Sequence, residues 1–417
     1  MRKILTYAVS ALALASCSSD SLVSDSPVNN EAPIAFNVGQ KNITRDVTTP
    51  TEDPLQSKGY YNFGVWAYKY KDGATTGVSV MPHYLVGYSN GTDKGYDYSN
   101  VTNQTTWFYE GLGNTQYNAS LPYTTSSISV NEKQVLHYWD MSYKTTNFYA
   151  YAPYKSSGVS FDEPTKTITV LKAANVAGYD DPQAHDVIYA AKEMTNASHA
   201  NVPLQFKHLG AQVKLRFCEN IPGYTVKLIN VNGGTTGIQA TPTEDMVNKS
   251  EYYTSYDAAI DFSDISNPDV APKTGGESTK VSTNLIFKVP TDDLPAKVGA
   301  GSTQNYVESP TVYYAVAQPE GNKTSFTFHV SYQLTAEDNS EVITVRNARV
   351  NVPAAAVTWK PNTRYLYDFT ITTNTNGKTS EGTINLDDPS VPDEDGLYPI
   401  IFDNVTILDY SEIVNAY

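Results

Sequence analysis

The chain has little cysteine, few basic residues and no apolar run long enough to cross a bilayer as a helix. Its 417 residues include only Cys17 and Cys218, and Cys17 lies close to the N terminus, so we expect no disulfide in the folded part. Acidic residues outnumber basic ones 44 to 29, which gives a formal charge of −15. Such a surface repels phosphate backbones and anionic headgroups, so we expect no nucleic acid partner.

Signatures of catalysis are also missing. The sequence has no Gly-x-Ser-x-Gly elbow, no His-Glu-x-x-His pair, no P-loop and no Gly-x-Gly-x-x-Gly turn. Its six histidines are scattered, and no two have the spacing of metal ligands together with a plausible third. We therefore expect a structural or binding role rather than an enzymatic one, with no catalytic residue, metal or cofactor.

The N-terminal segment has the pattern of an export signal. Two basic residues precede the mostly apolar stretch 4–15, which is too short for a membrane-spanning helix of ~20 residues. The sequence Leu-Ala-Ser-Cys that ends at Cys17 resembles the lipobox of bacterial lipoproteins. We therefore expect a signal peptide over 1–16, a lipid on Cys17 and a polar tether over 17–31; an ordinary signal peptide with a chance cysteine is the alternative.

What the sequence does contain favours strands. It has 32 tyrosines and only 18% charged residues, and short alternating runs are separated by turn signals as in β-sandwiches. In the run 60–70, apolar residues at Phe63 and Val65 alternate with aromatic ones at Trp66 and Tyr68, which predicts a strand that is covered on both faces. Cys218 ends a similar run and is expected to be a buried strand thiol.

The pattern of strands and linkers suggests a tandem organisation. We expect an N-terminal β-sandwich domain over 32–198 and a C-terminal one over 199–384. The segment 385–417 is expected to combine an acidic, proline-containing linker with a pair of short strands.

Two segments near the ends of the chain stand out. Arg45 follows a first strand predicted around Ile34, Phe36 and Val38, in a loop open to proteolysis, and the alternative is one more exposed arginine. The last residues offer alternating apolar side chains behind the acidic linker. As two ordinary strands they would complete the second sandwich.

Several of these pieces together resemble the fimbrillin family, the subunits of type V pili of Gram-negative bacteria. The resemblance covers most of the chain between Ile34 and Ile371. Its motifs are, in order, the lipobox, "IAFNV" with "ITRDV", "FYAYAPY", "DVIYAA", "VPLQFKHLGAQVKLRF" and "VTWKPNTRYLYDFTI".

The resemblance implies an all-β fold with two transthyretin-like β-sandwich domains in tandem. It also implies a lipoprotein on the outer membrane, a cut by a surface arginine-specific protease between Arg45 and Asp46, and loss of the first strand. A C-terminal strand from another pilus subunit would then fill the opened groove, giving a surface fimbrium that contributes to adhesion through a glycan or protein receptor. Carried over to this chain, the donor side chains would be Ile400, Phe402, Val405, Ile407 and Leu408; completion of the second sandwich is the alternative role for this tail.

A binding module is the alternative from a different class. In this case the protein would be a monomeric, lipid-anchored surface lipoprotein that captures glycans by stacking on exposed aromatic rings. Its candidate platforms are Trp66, Trp107 and Trp139.

Overall fold

The computed structural model is all-β in the part of the chain that it describes. Within that part, the only helical elements are 3-10 turns at Asn196–Ser198 and Ala354–Ala356, and no helix has the length and apolarity to cross a membrane. The described residues are 33–39, 62–90, 105–109, 134–155, 157–174, 176–178, 187–230, 237–242, 253–280, 285–318, 326–373 and 400–409.

The first half of the described chain contributes twelve strands. They are β1 (Phe36–Gly39), β2 (Asn62–Tyr70), β3 (Val78–Asn90), β4 (Thr105–Phe108), β5 (Thr145–Ala152), β6 (Val159–Asp162), β7 (Thr167–Ala174), β8 (Val176–Gly178), β9 (Ile188–Thr195), β10 (Val202–Gln205), β11 (Lys207–His208) and β12 (Ala211–Asn220).

The second half contributes twelve more. They are β13 (Tyr224–Ile229), β14 (Ile238–Pro242), β15 (Tyr253–Asp261), β16 (Asp269–Pro272), β17 (Ser278–Lys280), β18 (Leu285–Phe287), β19 (Val307–Glu308), β20 (Val312–Ala315), β21 (Phe326–Ala336), β22 (Val342–Val352), β23 (Thr363–Thr372) and β24 (Ile400–Asp409).

An antiparallel six-stranded sheet, in the order β11-β9-β5-β2-β3-β4, forms the centre of the N-terminal half. Phe63 and Val65 of β2 belong to a core on one face, while Trp66 belongs to a different core on the other. We call these the first core and the shared core. The prediction that this strand is covered on both faces is therefore confirmed, because successive side chains of a strand point to opposite faces and both sets are apolar or aromatic.

The shared core is closed by strands from both halves of the chain. β15 pairs with β7, and β16 and β17 extend the same sheet. Tyr256, Ala258 and Ile260 of β15 pack there against Tyr149 and Tyr151 of β5. The predicted tandem division at 198 and 199 did not anticipate that a segment as late as 253–280 covers the N-terminal sheet.

Two facing sheets form the C-terminal sandwich. One has the order β24-β23-β12-β20-β8, and the other contains β13, β21, β14 and β18, with β22 on the free side of β21. The central pair β12 and β23 is parallel over ten residues, from Ala211 opposite Thr363 to Asn220 opposite Thr372. Alternate residues of both strands, such as Phe217 and Phe369, fill the core between the sheets, as expected for sheet-on-sheet packing.

The chain passes from the first core to the sandwich core between Phe206 and Ala211. Gly210 lies at this bend, where a Cβ would approach the carbonyl oxygen of Ala315 to 2.4 Å. A close approach of two backbones is a position that glycine fills best. The "HLGAQ" sequence is therefore a kink between strands rather than a helical turn.

His83 lies among aromatic rings of the shared core. Its ring stacks on Trp66 at 4.3 Å between centroids and on Tyr154 at 4.9 Å, and its Nε2 lies 2.8 Å from the hydroxyl of Tyr151. Burial lowers the pKa of His83 to about 4. The folded protein therefore binds this proton less readily than the unfolded chain does.

We expect this histidine to make the protein acid-sensitive. The pKa of His83 is about 4 in the folded protein, below the ordinary value of 6.5. Between these values the unfolded chain binds the proton and the folded protein does not, so the free energy of unfolding decreases as the pH falls from about 6.5 towards 4. The expected loss in the free energy of unfolding is about 2 kcal/mol across that window.

The measurement is urea unfolding at several pH values for the wild type and for His83→Asn. Asparagine does not titrate here and tolerates the positive φ of 62° at this position. The pH slope between 6.5 and 4 should be smaller in the variant. Equal slopes would assign the acid sensitivity to other groups, such as His137, whose pKa is also lowered by burial.

Candidate functional site: the first strand and the tail

The predicted assembly site consists of the first strand, the cleavage position behind it and the C-terminal tail. Cys17, Arg45 and Asp46 lie outside the described residues, as does the acidic linker that begins at 385. The first strand and residues 400–409 of the tail are described, and they lie in different sheets.

The first strand is tied to the fold by few backbone contacts. β1 runs parallel to β10, with Phe36 opposite Val202, and the Val202 N–H donates to the Ala35 carbonyl at 2.7 Å. On its other side, the Ile34 N–H donates to the His137 carbonyl at 2.8 Å. A strand held between two short partners can leave without splitting a large sheet.

The side chains of the first strand are more deeply embedded than its short length suggests. Ile34 is 2% exposed and Phe36 is 4% exposed. The Phe36 ring meets Phe63, Tyr109 and Phe148 edge-to-face at centroid distances of 5.5, 5.9 and 5.8 Å. These two residues fill an apolar groove in the first core. The backbone of Val38 continues the ladder opposite Leu204.

Polar groups at the groove are paired within the fold. The Tyr109 hydroxyl donates to the Ile34 carbonyl at 2.9 Å, and the Gln134 amide donates to the Tyr109 carbonyl at 2.8 Å. His137 Nε2 lies 3.0 Å from the Tyr84 hydroxyl, and burial, reinforced by the charge of Lys69, lowers the pKa of His137. The groove is therefore lined by neutral groups at neutral pH, which suits an apolar strand.

The tail forms a single strand. β24 lies at the edge of the C-terminal sandwich and runs antiparallel to β23, from Ile400 opposite Ile371 to Asp409 opposite Thr363. The expectation of a pair of short strands here is wrong, because one residue of β24 is skipped by the ladder and the strand continues past it. The skipped residue is Asp403, since Phe402 and Asn404 face consecutive partners.

The five candidate donor side chains divide between two faces of β24. Four lie opposite the inward-facing aromatic and aliphatic residues of β23, and Leu408 lies opposite Arg364 on the other face. Ile400 is 4% exposed and Ile407 is 51% exposed, so burial decreases towards the C terminus. The four inward positions are Ile400, Phe402, Val405 and Ile407.

Two basic side chains, Lys297 and Arg216, bind polar residues of β24. Lys297 Nζ lies 2.6 Å from Asp403 Oδ1. Arg216 on β12 makes two bonds of 2.6 and 2.8 Å to Asp368 on β23, and its Nη2 donates to Thr406 at 3.4 Å. Sequence reasoning missed these residues, because the partners are 106 to 190 positions apart and no local pattern marks them.

The tryptophans proposed as glycan platforms are buried. Trp66 and Trp107 are each 6% exposed and Trp139 is 0% exposed, because each ring packs into a core. The assignment of stacking platforms to these three residues is wrong. Cys218 is buried as predicted, 3.3 Å from the Thr370 hydroxyl, and burial raises the pKa of its thiol.

The motif "VTWKPNTRYLYDFTI" has a packing role. The Trp359 indole donates to the Tyr367 hydroxyl at 2.8 Å, and that hydroxyl donates to the Ala356 carbonyl at 2.7 Å. The Lys360 N–H donates to the Tyr365 hydroxyl at 3.0 Å. These bonds fix the turn that leads into β23. Across the described ranges, no group of three His, Cys, Asp or Glu is placed to hold a metal ion.

Comparison with known families decides the assignment. A model of the fimbrillin-like family matches residues 59–386. The chain belongs to the fimbrillin-like family. Residues 1–18 match the prokaryotic membrane lipoprotein lipid attachment site, so this fimbrillin-like chain is a membrane-anchored surface or fimbrial protein.

Solved structures give distant similarities to this fimbrillin-like chain. A candidate cell adhesion protein from Bacteroides uniformis has 11% identity and a TM-score of 0.41, covering 92% of this chain and 100% of its own. The fimbrial anchor protein Mfa2 from Porphyromonas gingivalis has 9% identity and a TM-score of 0.25, with coverages of 82% and 92%. No curated protein matches the sequence.

Proposed function

We propose that this chain is a structural subunit of a bacterial surface fimbrium, with two transthyretin-like β-sandwich domains. It reaches the outer membrane as a lipoprotein anchored at Cys17 and is cut by an arginine-specific protease between Arg45 and Asp46. It then polymerises when the tail of another subunit fills the groove left by the first strand. The fimbrium contributes to adhesion to a glycan or protein receptor.

One observation carries this proposal: the first strand is deeply buried by its side chains but weakly integrated by its backbone. Ile34 and Phe36 are nearly inaccessible to solvent, whereas β1 is only four residues long and pairs with the equally short β10. Only residues 40–44 separate it from Arg45. A cut there leaves the strand held by its contacts alone.

The physics of the groove favours replacement of the strand over an empty cavity. Burial of an isoleucine or phenylalanine side chain stabilises by about 1.5–3 kcal/mol. Loss of β1 therefore exposes the rings around Phe36 together with unpaired backbone groups of β10. Such an edge is a template for another strand, which gains main-chain hydrogen bonds and places alternate side chains in the pockets.

The tail has the properties required of a donor. β24 is an edge strand, so its departure leaves the rest of its sheet intact. Its inward side chains Ile400, Phe402 and Val405 are apolar, and the bulge at Asp403 keeps all three on one face of the strand. Because the donor and the groove lie on different parts of the subunit, the contact is head-to-tail and produces filaments rather than closed dimers.

The proposal is tested by the N terminus and the assembly state of protein taken from the surface of its native cells. Wild-type subunits in polymers should start at Asp46 and give ladders on gels of unboiled samples. Arg45→Ala should keep a lipidated Cys17 and stay monomeric. The matched control Lys41→Ala removes a nearby positive charge and should behave as the wild type.

Two outcomes would overturn this function. Polymers made of subunits that still begin at Cys17 would show that assembly does not require cleavage after Arg45. A wild-type protein that is monomeric, lipidated and saturable by a glycan would instead identify a surface binding protein.

A further inference from the structure

The first strand and the tail have similar sequences. Residues 33–38 read Pro-Ile-Ala-Phe-Asn-Val, and residues 399–405 read Pro-Ile-Ile-Phe-Asp-Asn-Val. The dipeptide Pro-Ile occurs only at these two places in the chain. The two segments align at six positions if one residue of the tail, Asp403, has no counterpart.

The pairing of β24 singles out the same residue independently. The ladder between β24 and β23 shifts at this point, with Phe402 opposite Phe369 and Asn404 opposite Asp368. Asp403 is therefore the extra residue of a β-bulge, and it has no partner residue in the ladder. Its insertion shifts the residues after it to the opposite face from the one that simple alternation would give them. With the bulge, Val405 regains the side of the strand that Ile400 and Phe402 occupy.

The groove requires side chains that the tail supplies in the same order. It holds an isoleucine at Ile34 and, two residues later, the phenylalanine ring of Phe36, both nearly inaccessible to solvent. The tail carries Ile400 and Phe402 at the same spacing. A proline precedes each isoleucine, so neither segment brings an N–H at that position that would require a partner.

We propose that the tail enters the groove of a second copy of this chain in the register of the first strand. Ile400 takes the place of Ile34 and Phe402 that of Phe36, while Asp403 bulges out and Val405 continues the ladder. This inference rests on the proposed strand exchange and adds its register and its partner: the subunit recognises its own copy, because its tail imitates its own first strand.

The tail is long enough to reach a neighbour. Residues 373–399 separate β23 from β24, and 27 residues span at most roughly 95 Å. Release breaks the ladder with β23 and the partly exposed ion pair between Lys297 and Asp403, and a new ladder in the groove replaces the one that is lost. It also uncovers Ile400, which is buried again in the groove.

The test uses disulfide trapping at a position where the register is visible. Pro33 forms an isolated antiparallel bridge with Tyr138, and both residues are exposed at the surface. In the proposed register Pro399 of the donor takes the place of Pro33. A chain with Tyr138→Cys and Pro399→Cys, cut after Arg45, should therefore form disulfide-linked ladders between subunits.

Three controls make the trapping specific. Uncut protein with Pro33→Cys and Tyr138→Cys should form the bond within one chain, which verifies the geometry and folding of the variant. Cut protein with Tyr138→Cys and Asn404→Cys should polymerise without linking, because Asn404 lies five residues further along the tail. After cleavage the only native cysteine left is Cys218, which is buried.

The outcomes separate the register from strand exchange itself. Ladders linked through Pro399→Cys, at least tenfold more abundant than those through Asn404→Cys, support the register. Polymers that form but link equally at both positions, or at neither, overturn the register and leave the proposed function standing. Cut protein that does not polymerise in any variant overturns both.

Discussion

Replacement of Asp368 by alanine is expected to lower the free energy of unfolding of the C-terminal sandwich by about 3–4 kcal/mol. Its carboxylate receives two bonds from Arg216, at 2.6 and 2.8 Å. The two side chains are 5% and 19% exposed. The variant would leave a largely buried guanidinium with the Tyr306 ring, 4.5 Å away, and the hydroxyl of Thr406 as its remaining contacts.

The measurement is chemical unfolding followed by far-UV circular dichroism, with a double variant as the control. Arg216→Met with Asp368→Leu removes both charges and keeps comparable volume, so it should recover most of the loss, because no charge remains unpaired. If the single and double variants were equally destabilised, packing rather than the ion pair would account for the effect.

This ion pair also bears on assembly. Arg216 and Asp368 face each other on the parallel strands β12 and β23, and Thr406 of the tail is bonded to the same guanidinium. The pair holds together the sheet that remains when β24 leaves. We expect Asp368→Ala to impair the subunit before and after strand exchange, whereas a change in Lys297 should affect mainly the docking of the tail.

The periodicity of single strands was predictable, but their pairing was not. Alternation in "YYNFGVWAYKY" predicted two coverings for β2, and two cores confirm it. The covering sheet itself pairs Val170 with Ala258, residues 88 positions apart, and no local pattern encodes such a partner. The same limit applies to Arg216 and Asp368, which are 152 positions apart.

The tail illustrates where a period-2 reading of strands fails. Val405 and Ile407 are out of phase with Ile400 and Phe402, so alternation alone places them on opposite faces. The bulge at Asp403 restores a common face, and it moves Leu408 to the outer one. The solvent exposure of the tryptophans could not be predicted from the sequence either. A tryptophan on a strand can face a core or solvent with the same sequence neighbours, and Trp139 faces a core.

The second large effect is expected from a pair of phenylalanine-to-alanine variants, one in each strand. Phe36→Ala removes a ring that touches three aromatic neighbours, so docking of the first strand should weaken by about 3 kcal/mol. The Val202 amide, which donates to the Ala35 carbonyl, should then exchange its hydrogen ~100-fold faster in the uncut protein. Phe402→Ala should leave that exchange unchanged, because Phe402 packs in the C-terminal sandwich.

After cleavage the stability of the polymer should depend on Phe402 and no longer on Phe36. Phe36 has left the subunit with its strand, so Phe36→Ala polymers should resist heat and denaturant as wild-type polymers do, and they should form faster because the strand leaves more easily. Phe402→Ala polymers should lose subunits at least ~100-fold faster, since the donor now lacks the ring that fills the vacated pocket. Equal polymer stability in both variants would mean that the ring of Phe402 does not fill the vacated pocket. The groove would then be filled by something other than this tail.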